Sequence, residues 1–207
     1  MKVSEIFRSI QGEGIRQGRP CTFIRFAGCN LNCSWCDTPQ ARIGEREMDA
    51  GEITARVREL GGTYLCITGG EPLLQGAPLL SLLSSLHSSG YAIDIETNGT
   101  LDFSPFQALA SICMDVKCPS SGEESDLSLL SRITTNDSVK FVVRDEEDCR
   151  YACDVLMEHP VRGEVFFSPV EGSDARAIAR FLIDEDLPAR LQLQLHKIIW
   201  PETKRGV

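Results

Sequence analysis

The chain has 207 residues, of which 42% are hydrophobic and 25% charged, and its formal net charge is −9. This length and composition suit one ordinary domain with a sizeable core. The acidic balance argues against nucleic-acid binding, which takes most of its affinity from Lys and Arg at the phosphates. A small molecule is the expected partner.

The N-terminus has no apolar core of a signal peptide, and no stretch approaches the length of a membrane-spanning helix. We therefore expect a cytoplasmic protein that binds neither nucleic acid nor membrane. Nine cysteines are an odd number for a disulfide framework, and three of them are closely spaced. In a reducing compartment, such spacing indicates metal binding.

From residue 22 onward, short β-branched runs alternate with amphipathic stretches, a pattern typical of βα units around a mostly parallel sheet. Strands are predicted over 22–27, 63–68, 91–97, 111–117, 138–143, 164–168 and 190–196. Helices are predicted near 50–60, 77–88, 103–110, 125–132, 145–158 and 173–184. A complete eightfold barrel needs about 250 residues, so we expect an α/β fold forming an incomplete, open TIM-like (βα) barrel with reduced helix content.

Chemically suggestive clusters follow the predicted strands. Residues 28–38 come after the first strand, 69–72 after the second and 98–100 after the third, while 115–117 close the fourth. Sites in parallel βα folds are built at the carboxyl ends of the strands. These clusters should therefore converge in space.

Three cysteines, Cys29, Cys33 and Cys36, have a C-x3-C-x2-C spacing on a predicted loop. Three thiolates can hold three irons of a 4Fe–4S cluster and leave the fourth iron without a protein ligand. Structural zinc would need a fourth ligand, and none of the three histidines lies near the triplet. Ordinary electron carriers use four cysteines, which makes a plain ferredoxin role unsuitable.

The triplet, with Trp35 at the aromatic position before the last cysteine, is similar to the signature of the radical S-adenosylmethionine superfamily. The glycine-rich stretch 68–72 resembles the cofactor motif of the same superfamily. The resemblance implies a 4Fe–4S cluster whose open iron is chelated by S-adenosylmethionine. Electron transfer from the cluster then releases a 5′-deoxyadenosyl radical that abstracts hydrogen.

The N-terminal segment places Gln11 and Glu13 among glycines. A carboxylate accepts hydrogen bonds from adjacent ring N–H and amino groups, and an amide both donates and accepts, so the pair suits a guanine-like edge. An ordinary polar turn is the alternative interpretation of these residues.

Six stretches together resemble the 7-carboxy-7-deazaguanine synthase family over essentially the whole chain: 9–14, 23–31, 36–38, 68–72, 96–100 and 195–197. That family converts 6-carboxy-5,6,7,8-tetrahydropterin to 7-carboxy-7-deazaguanine by radical ring contraction with loss of ammonia. The reaction serves queuosine and, in archaea, archaeosine biosynthesis. The resemblance implies one domain over 1–207, with residues 1–20 as a substrate-binding segment, a homodimer and a low-potential electron donor of the flavodoxin or ferredoxin type.

The resemblance also assigns residues to ligands. The pterin would be held by Ile10, Gln11, Gly12, Glu13, Arg25 and Thr68, with His196, at the close of the last predicted strand, hydrogen-bonding the substrate or transferring a proton. S-adenosylmethionine would be contacted by Gly70 and, by looser matches, by Asp115, Val116, Lys117, Ser168, Pro169, Val170 and Glu171. The cluster would be bound by Cys29, Cys33 and Cys36, and Mg²⁺ by Thr38.

Several alternatives stay open at this stage. Arg25, which shares a strand face with Phe23, would instead form a salt bridge to a core acid, and His196 would be a satisfied core histidine. A family role for a terminal proline is in doubt because six residues follow Pro201. Six further cysteines are interpreted as buried reduced thiols: Cys21, Cys66, Cys113, Cys118, Cys149 and Cys153. The alternative is a second metal site formed by Cys149 and Cys153, which are four residues apart on a predicted helix.

Two other functions share parts of this pattern. A glycyl-radical-enzyme activase would have the same cysteine motif but act on a protein, and the segment around Gln11 and Glu13 distinguishes the two. A non-catalytic iron–sulfur or zinc module would bind metal without cleaving S-adenosylmethionine.

Overall fold

The protein is described by a computed structural model that covers residues 1–43, 46–200 and 205–206. Its strands are β1 (Lys2–Ile10), β2 (Pro20–Phe26), β3 (Arg46–Glu47), β4 (Tyr64–Gly69), β5 (Ala92–Thr97), β6 (Ser111–Val116), β7 (Ser138–Val143), β8 (Glu164–Pro169) and β9 (Arg190–Leu191). Its α-helices are α1 (Ala50–Leu60), α2 (Ala77–Ser88), α3 (Glu146–Glu158), α4 (Ala175–Asp184) and α5 (Leu195–Ile199).

All nine strands lie in one sheet, in the order β3-β1-β2-β4-β5-β6-β7-β8-β9. Strands β2 and β4 to β9 pair in parallel, whereas β1 pairs antiparallel with β2 and with β3. Over the described ranges, the edge strands β3 and β9 do not pair with each other, so the sheet is open. The predicted α/β class and open, mostly parallel architecture are confirmed.

The first strand, β1, is absent from the predicted elements. It pairs with β2 from Val3 opposite Phe26 to Ile10 opposite Pro20, with a register shift between Val3 and Glu5. A bulge of this kind inserts a residue and breaks the alternation of side chains that identifies a strand in a sequence. Residues 2–10 nevertheless belong to the sheet.

Two predicted helices, 103–110 and 125–132, are wrong. The structure has only short 3-10 turns there, Ser104–Phe106 and Leu127–Arg132. In the second turn the Asp126 carboxylate accepts from Ser128 N, and Ser131 Oγ donates to Ser128 O. Such side-chain bonds to nearby backbone compete with a regular helix.

The last predicted strand, 190–196, is wrong beyond Leu191, and His196 lies in helix α5 instead of closing a strand. The Gln192 side chain explains the change of path. It exchanges two hydrogen bonds with the Gly14 backbone, at 2.8 and 3.0 Å, and so draws the chain from the sheet toward the N-terminal segment.

The two faces of the sheet have different chemistry. Outward residues such as Leu65 and Ile67 join an apolar core with Ile53 of α1 and Leu83 of α2. Inward residues alternate with them, as the pleat requires, and include charged and polar groups such as Lys140. Within the described residues, no helix has the length and apolar content needed to cross a membrane.

Candidate active site

A cavity of about 650 Å³ opens at the carboxyl ends of the parallel strands. Its walls come from the loops after β2, β4, β5 and β6, from the end of β1 and from the segment around α5. The predicted convergence of the strand-end clusters is confirmed. A volume of this size accommodates small organic ligands.

Most of the residues assigned from the sequence line this cavity. They are Ile10, Gln11, Gly12, Glu13, Arg25, Thr68 and His196 on the predicted pterin side, Cys29, Cys33, Cys36 and Thr38 on the metal side, and Gly70, Asp115, Lys117, Val170 and Glu171 for S-adenosylmethionine.

Three assigned residues lie outside the cavity lining. Val116 is buried in the apolar core. Ser168 is also buried, and its hydroxyl donates to Gln192 O at 3.0 Å, so this polar group already serves the fold. For Val116, Ser168 and Pro169, contact with S-adenosylmethionine therefore stays a prediction.

The cysteine loop is organised by backbone turns and by bonds to sulfur. Cys36 N donates to Cys33 O at 3.3 Å, which forms a turn between the last two cysteines. The Cys29 sulfur accepts from Leu31 N at 3.5 Å and from Asn98 Nδ2 at 3.9 Å. N–H donors to thiolate sulfur are the contacts that tune iron–sulfur sites.

Neighbouring loops hold the cysteine loop from outside. Trp35 Nε1 donates to Ser120 Oγ at 3.1 Å, and Ser34 N donates to Ser121 O at 2.9 Å. Ser120 in turn donates its backbone N–H to the buried carboxylate of Asp148 at 3.0 Å. The cysteine loop is thus connected to the first turn of α3, an element of the rigid scaffold.

The residues present suit a cluster bound by three cysteines. All three thiols are free and partly exposed to the cavity. In the described part of the chain, no group of three or more His, Cys, Asp or Glu side chains could hold one metal ion. A cluster makes no such demand, because each cysteine binds a different iron.

The glycine-rich loop packs directly on the cysteine loop. A Cβ on Gly70 would lie 2.2 Å from Gly28 O and 2.7 Å from Cys29 Cβ. Glu71 N donates to Gly28 O at 2.8 Å, which joins the two loops. The glycine is therefore required for backbone contact between the two motifs, in addition to any contact with a ligand.

Glu71 is a buried residue that positions neighbouring groups, and the sequence analysis assigned it no role. Its carboxylate accepts from Leu73 N, Thr97 Oγ1 and Asn98 N at 2.7 to 3.0 Å. Burial raises the pKa of Glu71 although these donors oppose the rise. The residue fixes Asn98, which donates to the Cys29 sulfur and to Asn30 Oδ1.

The predicted pterin side is a connected polar network. Gln11 Nε2 lies 3.3 Å from both Tyr64 Oη and Glu96 Oε1, and Thr68 Oγ1 donates to Glu96 Oε2 at 3.1 Å. Gln11 Oε1 accepts from Glu13 N. Strands β4 and β5 and the N-terminal segment thus position one amide and one carboxylate in the cavity lining.

Glu13 forms an ion pair with Lys140 of β7, at 2.5 Å, and accepts from Gln194 Nε2 at 2.7 Å. Burial alone would raise the pKa of Glu13. The charges of Lys140 and His196, with the hydrogen bonds from Lys140 and Gln194, outweigh burial and lower that pKa to about 2. Glu13 is therefore a carboxylate at neutral pH.

Arg25 forms the salt bridge that the sequence analysis gave as an alternative to substrate binding. Its Nε donates to Glu5 Oε1 at 2.7 Å, and its guanidinium lies over the Phe7 ring. Arg25 also lines the cavity beside Phe23. Because the bond to Glu5 uses Nε, the terminal nitrogens retain donors for a second anion.

Helix α5 covers the N-terminal segment. A Cβ on Gly12 would lie 2.4 Å from His196 Nδ1, so the absence of a side chain lets the imidazole approach. Lys197 Nζ lies 3.1 Å from Asp37 and 3.8 Å from Glu171. Helix α5 thereby links the N-terminal segment to the cysteine loop and to the loop after β8.

Thr38 precedes the 3-10 turn Pro39–Arg42, and its hydroxyl makes no capping bond there. Thr38 lines the cavity and offers a single hydroxyl oxygen, so a bound Mg²⁺ would need its other ligands from small molecules and water. Pro201 lies outside the described residues.

The additional cysteines are free thiols. Cys21 and Cys66 are buried with Phe7, Phe23 and Tyr64 on the inner face of the sheet. Cys149 is buried and Cys153 partly exposed on α3. The interpretation as buried reduced thiols holds for the five cysteines other than Cys153.

Sequence reasoning missed Lys140, Glu96 and Gln194, all of which line the cavity. The first two carried a signal, because a charged residue inside an apolar strand needs a partner. Lys140 interrupts the run of β7, and Glu96 follows Asp94 by two residues on β5. Gln194 gave no such signal in the sequence, since nothing local distinguishes it from other glutamines.

Comparison with known proteins agrees with this geometry. Residues 23–116 match the model of the radical SAM superfamily. A 7-carboxy-7-deazaguanine synthase of Methanospirillum hungatei is 51% identical over 96% of this chain and 85% of its own. The enzyme of that name from Clostridium acetobutylicum is 40% identical over 100% of this chain and 99% of its own.

Among solved structures, QueE from Escherichia coli superposes with a TM-score of 0.75 at 23% identity, over 93% of each chain. That likeness supports the fold. The similarity to the two curated relatives extends over nearly the whole chain. The chain therefore belongs to the 7-carboxy-7-deazaguanine synthase family of radical S-adenosylmethionine enzymes.

Proposed function

We propose that this protein converts 6-carboxy-5,6,7,8-tetrahydropterin to 7-carboxy-7-deazaguanine by radical ring contraction with loss of ammonia, on the path to queuosine or archaeosine. One observation supports this most strongly. A single cavity has the three-cysteine loop on one side and the network of Gln11, Glu13 and Arg25 on the other. A glycyl-radical activase has no need for such a small-molecule network.

Glu13 and Gln11 suit the amino-pyrimidine edge of a pterin. Each oxygen of the Glu13 carboxylate accepts one bond from the protein, from Lys140 or from Gln194. A carboxylate oxygen has two acceptor positions, so one per oxygen remains for two adjacent N–H donors of the ring. The Gln11 amide, oriented by Tyr64 and Glu96, would hydrogen-bond a neighbouring position of the pterin ring.

Arg25 suits the carboxylate of the substrate. Its pairing with Glu5 orients the guanidinium and offsets the cost of placing a cation at the cavity wall. A bidentate contact between the terminal nitrogens and a carboxylate would fix the plane of the bound pterin. Thr68, held by Glu96, and His196, close to Gly12, would complete the substrate contacts.

The family's 4Fe–4S cluster and S-adenosylmethionine supply the radical chemistry when bound, and the protein supplies binding and orientation. Cys29, Cys33 and Cys36 would hold the cluster. Gly70 would let backbone approach S-adenosylmethionine. The charged pair of Asp115 and Lys117, 2.6 Å apart, would contact its polar groups from β6.

Further ligand contacts would come from the loops after β8 and β2. Val170 and Glu171 line the cavity from the end of β8, and Thr38 would bind a Mg²⁺ ion shared with the substrate carboxylate. Helix α5, tied to Asp37 and Glu171 through Lys197, covers this side and would limit the access of water.

The wider setting is also proposed. The enzyme would form one domain over residues 1–207 and work as a homodimer, with its electron from a low-potential donor of the flavodoxin or ferredoxin type. All nine cysteines are free thiols, and three of them would serve an oxidisable cluster. Both features suit the reducing cytoplasm.

Product analysis tests the proposed function. The anaerobically reconstituted enzyme, given the carboxypterin, S-adenosylmethionine and a reductant, should form a product with the mass of 7-carboxy-7-deazaguanine. A Glu13→Gln variant is the matched control, because it should keep the cluster and weaken only pterin conversion. Cleavage of S-adenosylmethionine without any deazaguanine product in the wild type would refute the proposal.

A further inference from the structure

Lys140 is a buried lysine at the centre of a strand. Every residue of β7 is buried, and Lys140 itself is only 6% exposed. An ammonium in such a position is costly unless it is paired. It is not part of the surface charge of the protein, and no sequence motif assigned it to the site.

The partner of Lys140 is Glu13, 127 positions earlier in the chain. Lys140 Nζ lies 2.5 Å from Glu13 Oε2, while Gln194 Nε2 lies 2.7 Å from Glu13 Oε1. The carboxylate is therefore held from the sheet on one side and from the segment before α5 on the other. Glu13 and both of its partners line the cavity.

We infer that Lys140 is a positioning residue for the pterin: it fixes the Glu13 carboxylate and keeps it ionised, so that Glu13 accepts hydrogen bonds from the ring. A protonated Glu13 would carry an O–H donor opposite the N–H donors of the pterin, and this mismatch would weaken binding. The inference rests on the proposed function, in which Glu13 binds the pterin.

The groups around Glu13 explain why Lys140 has this role and not another residue. Lys140 on β7 and His196 on α5 favour the charged form of Glu13. Glu96 on β5 and Asp115 and Cys113 on β6 also face Lys140. Without the ammonium, burial and the nearby acids would act on Glu13 with only the imidazole and the Gln194 amide to oppose them.

Three variants of the reconstituted holoenzyme test the inference, with KM and kcat for the carboxypterin measured from pH 6 to pH 9. Lys140→Met should raise KM at pH 7 by about tenfold or more, because the buried carboxyl then protonates near neutral pH. KM should rise further by up to about tenfold for each unit of acidification. Lys140→Arg should restore most of the affinity and a flat profile.

Gln194→Ala is the matched control. It removes a hydrogen bond from the other oxygen of the same carboxylate but removes no charge. KM should increase by a similar factor at every pH, without an acid limb. A merely structural role of Lys140 would instead lower the amount of active enzyme and leave the pH dependence of KM unchanged.

A second variant keeps the test valid if Lys140→Met fails to fold. Lys140→Gln keeps a donor near Glu13 without the charge, and it should show the same acid limb as Lys140→Met. Cluster content, measured by iron analysis, should stay at the wild-type level in both variants and would show that the cysteine loop is intact.

Two outcomes separate this inference from the proposed function. If the wild type forms the deazaguanine and Lys140→Met and Lys140→Gln both keep a flat pH profile of KM, the role of Lys140 is refuted and the function stands. If the wild type forms no deazaguanine product, the proposed function fails first, and the inference falls with it.

Discussion

The two sides of the cavity are built in different ways. The cysteine side, residues 28–38, is a loop held by backbone and hydroxyl bonds to neighbouring loops, with its thiols partly exposed. The strand side consists of inward side chains in ion pairs, among them the buried pair of Glu13 with Lys140 and the half-buried pair of Arg25 with Glu5. The strand side is therefore preorganised as part of the fold, whereas the cysteine side is a functional loop on a rigid scaffold.

This difference separates chemistry from substrate choice. A change in the cysteine loop should remove radical formation and leave the sheet intact. A change on the strand side should alter binding and stability together, because its polar groups are buried and mutually satisfied. Variants on the two sides of the cavity test that separation.

The largest effect is expected for Cys33→Ala. With only two thiolates left, the variant should fail to assemble the cluster and should lose both cleavage of S-adenosylmethionine and pterin conversion. Because Cys33 lies on a loop and outside the apolar core, the free energy of unfolding of the apoprotein, measured with denaturant, should change by less than about 1 kcal/mol. Iron analysis, absorption spectra and product assays measure these effects.

Cys153→Ala is the matched control, because Cys153 is a partly exposed thiol on α3 outside the cavity. It should retain the cluster and the activity. Cleavage of S-adenosylmethionine by the Cys33→Ala variant would contradict the assignment of the cluster ligands.

Gly70→Ala should break the contact between the two motifs with a smaller effect. The new Cβ would lie 2.2 Å from Gly28 O, a backbone atom that cannot move without shifting the cysteine loop. Overpacking of this kind costs about 1–3 kcal/mol, so we expect about tenfold or more weaker binding of S-adenosylmethionine. Equilibrium binding to the cluster-loaded enzyme measures the loss.

Gly51→Ala in α1 controls for the added methyl group. Its Cβ would meet only Asp49 Oδ1, at 3.2 Å and far from the cavity, so cofactor binding should not change. Equal binding by wild type and Gly70→Ala would show that the two loops do not depend on each other.

The same contrast explains what could be predicted from the sequence. The cysteine spacing is local, so the sequence alone is enough to assign Cys29, Cys33 and Cys36, and the apolar runs locate β4 to β8 to within a residue or two. The pair of Glu13 and Lys140 joins positions 127 apart, and no local pattern pairs them. Long-range pairing is a property of the folded sheet.

The errors in the fold have local causes of a similar kind. The bulge in β1 hides the strand alternation, and serine and aspartate side chains convert a predicted helix into the turn Leu127–Arg132. His196 was expected at the end of a strand but reaches the cavity from α5, because Gln192 redirects the chain toward Gly14. In each case a side-chain or register effect outweighed the periodic pattern.

The last prediction concerns stability and not activity, at Asp94 on β5, which is linked to Gln11 through Tyr64. Its carboxylate accepts from Tyr64 Oη at 2.6 Å and pairs with Arg16. Burial, with the nearby Glu96 charge, raises the pKa of Asp94 from 3.8 to about 6, although Tyr64 and Arg16 oppose the rise. The native state therefore holds a proton that the unfolded chain releases between about pH 4 and pH 6.

A native state that binds more protons than the unfolded state loses stability as pH rises. The ionised Asp94 should therefore cost about 3 kcal/mol of unfolding free energy above pH 6 and almost none below pH 4. Asp94→Asn cannot ionise, so its stability relative to the wild type should increase by that amount between pH 4 and pH 7. Denaturant unfolding at both pH values measures the difference. Parallel pH curves for the two proteins would show that the Asp94 carboxylate carries no such burial cost.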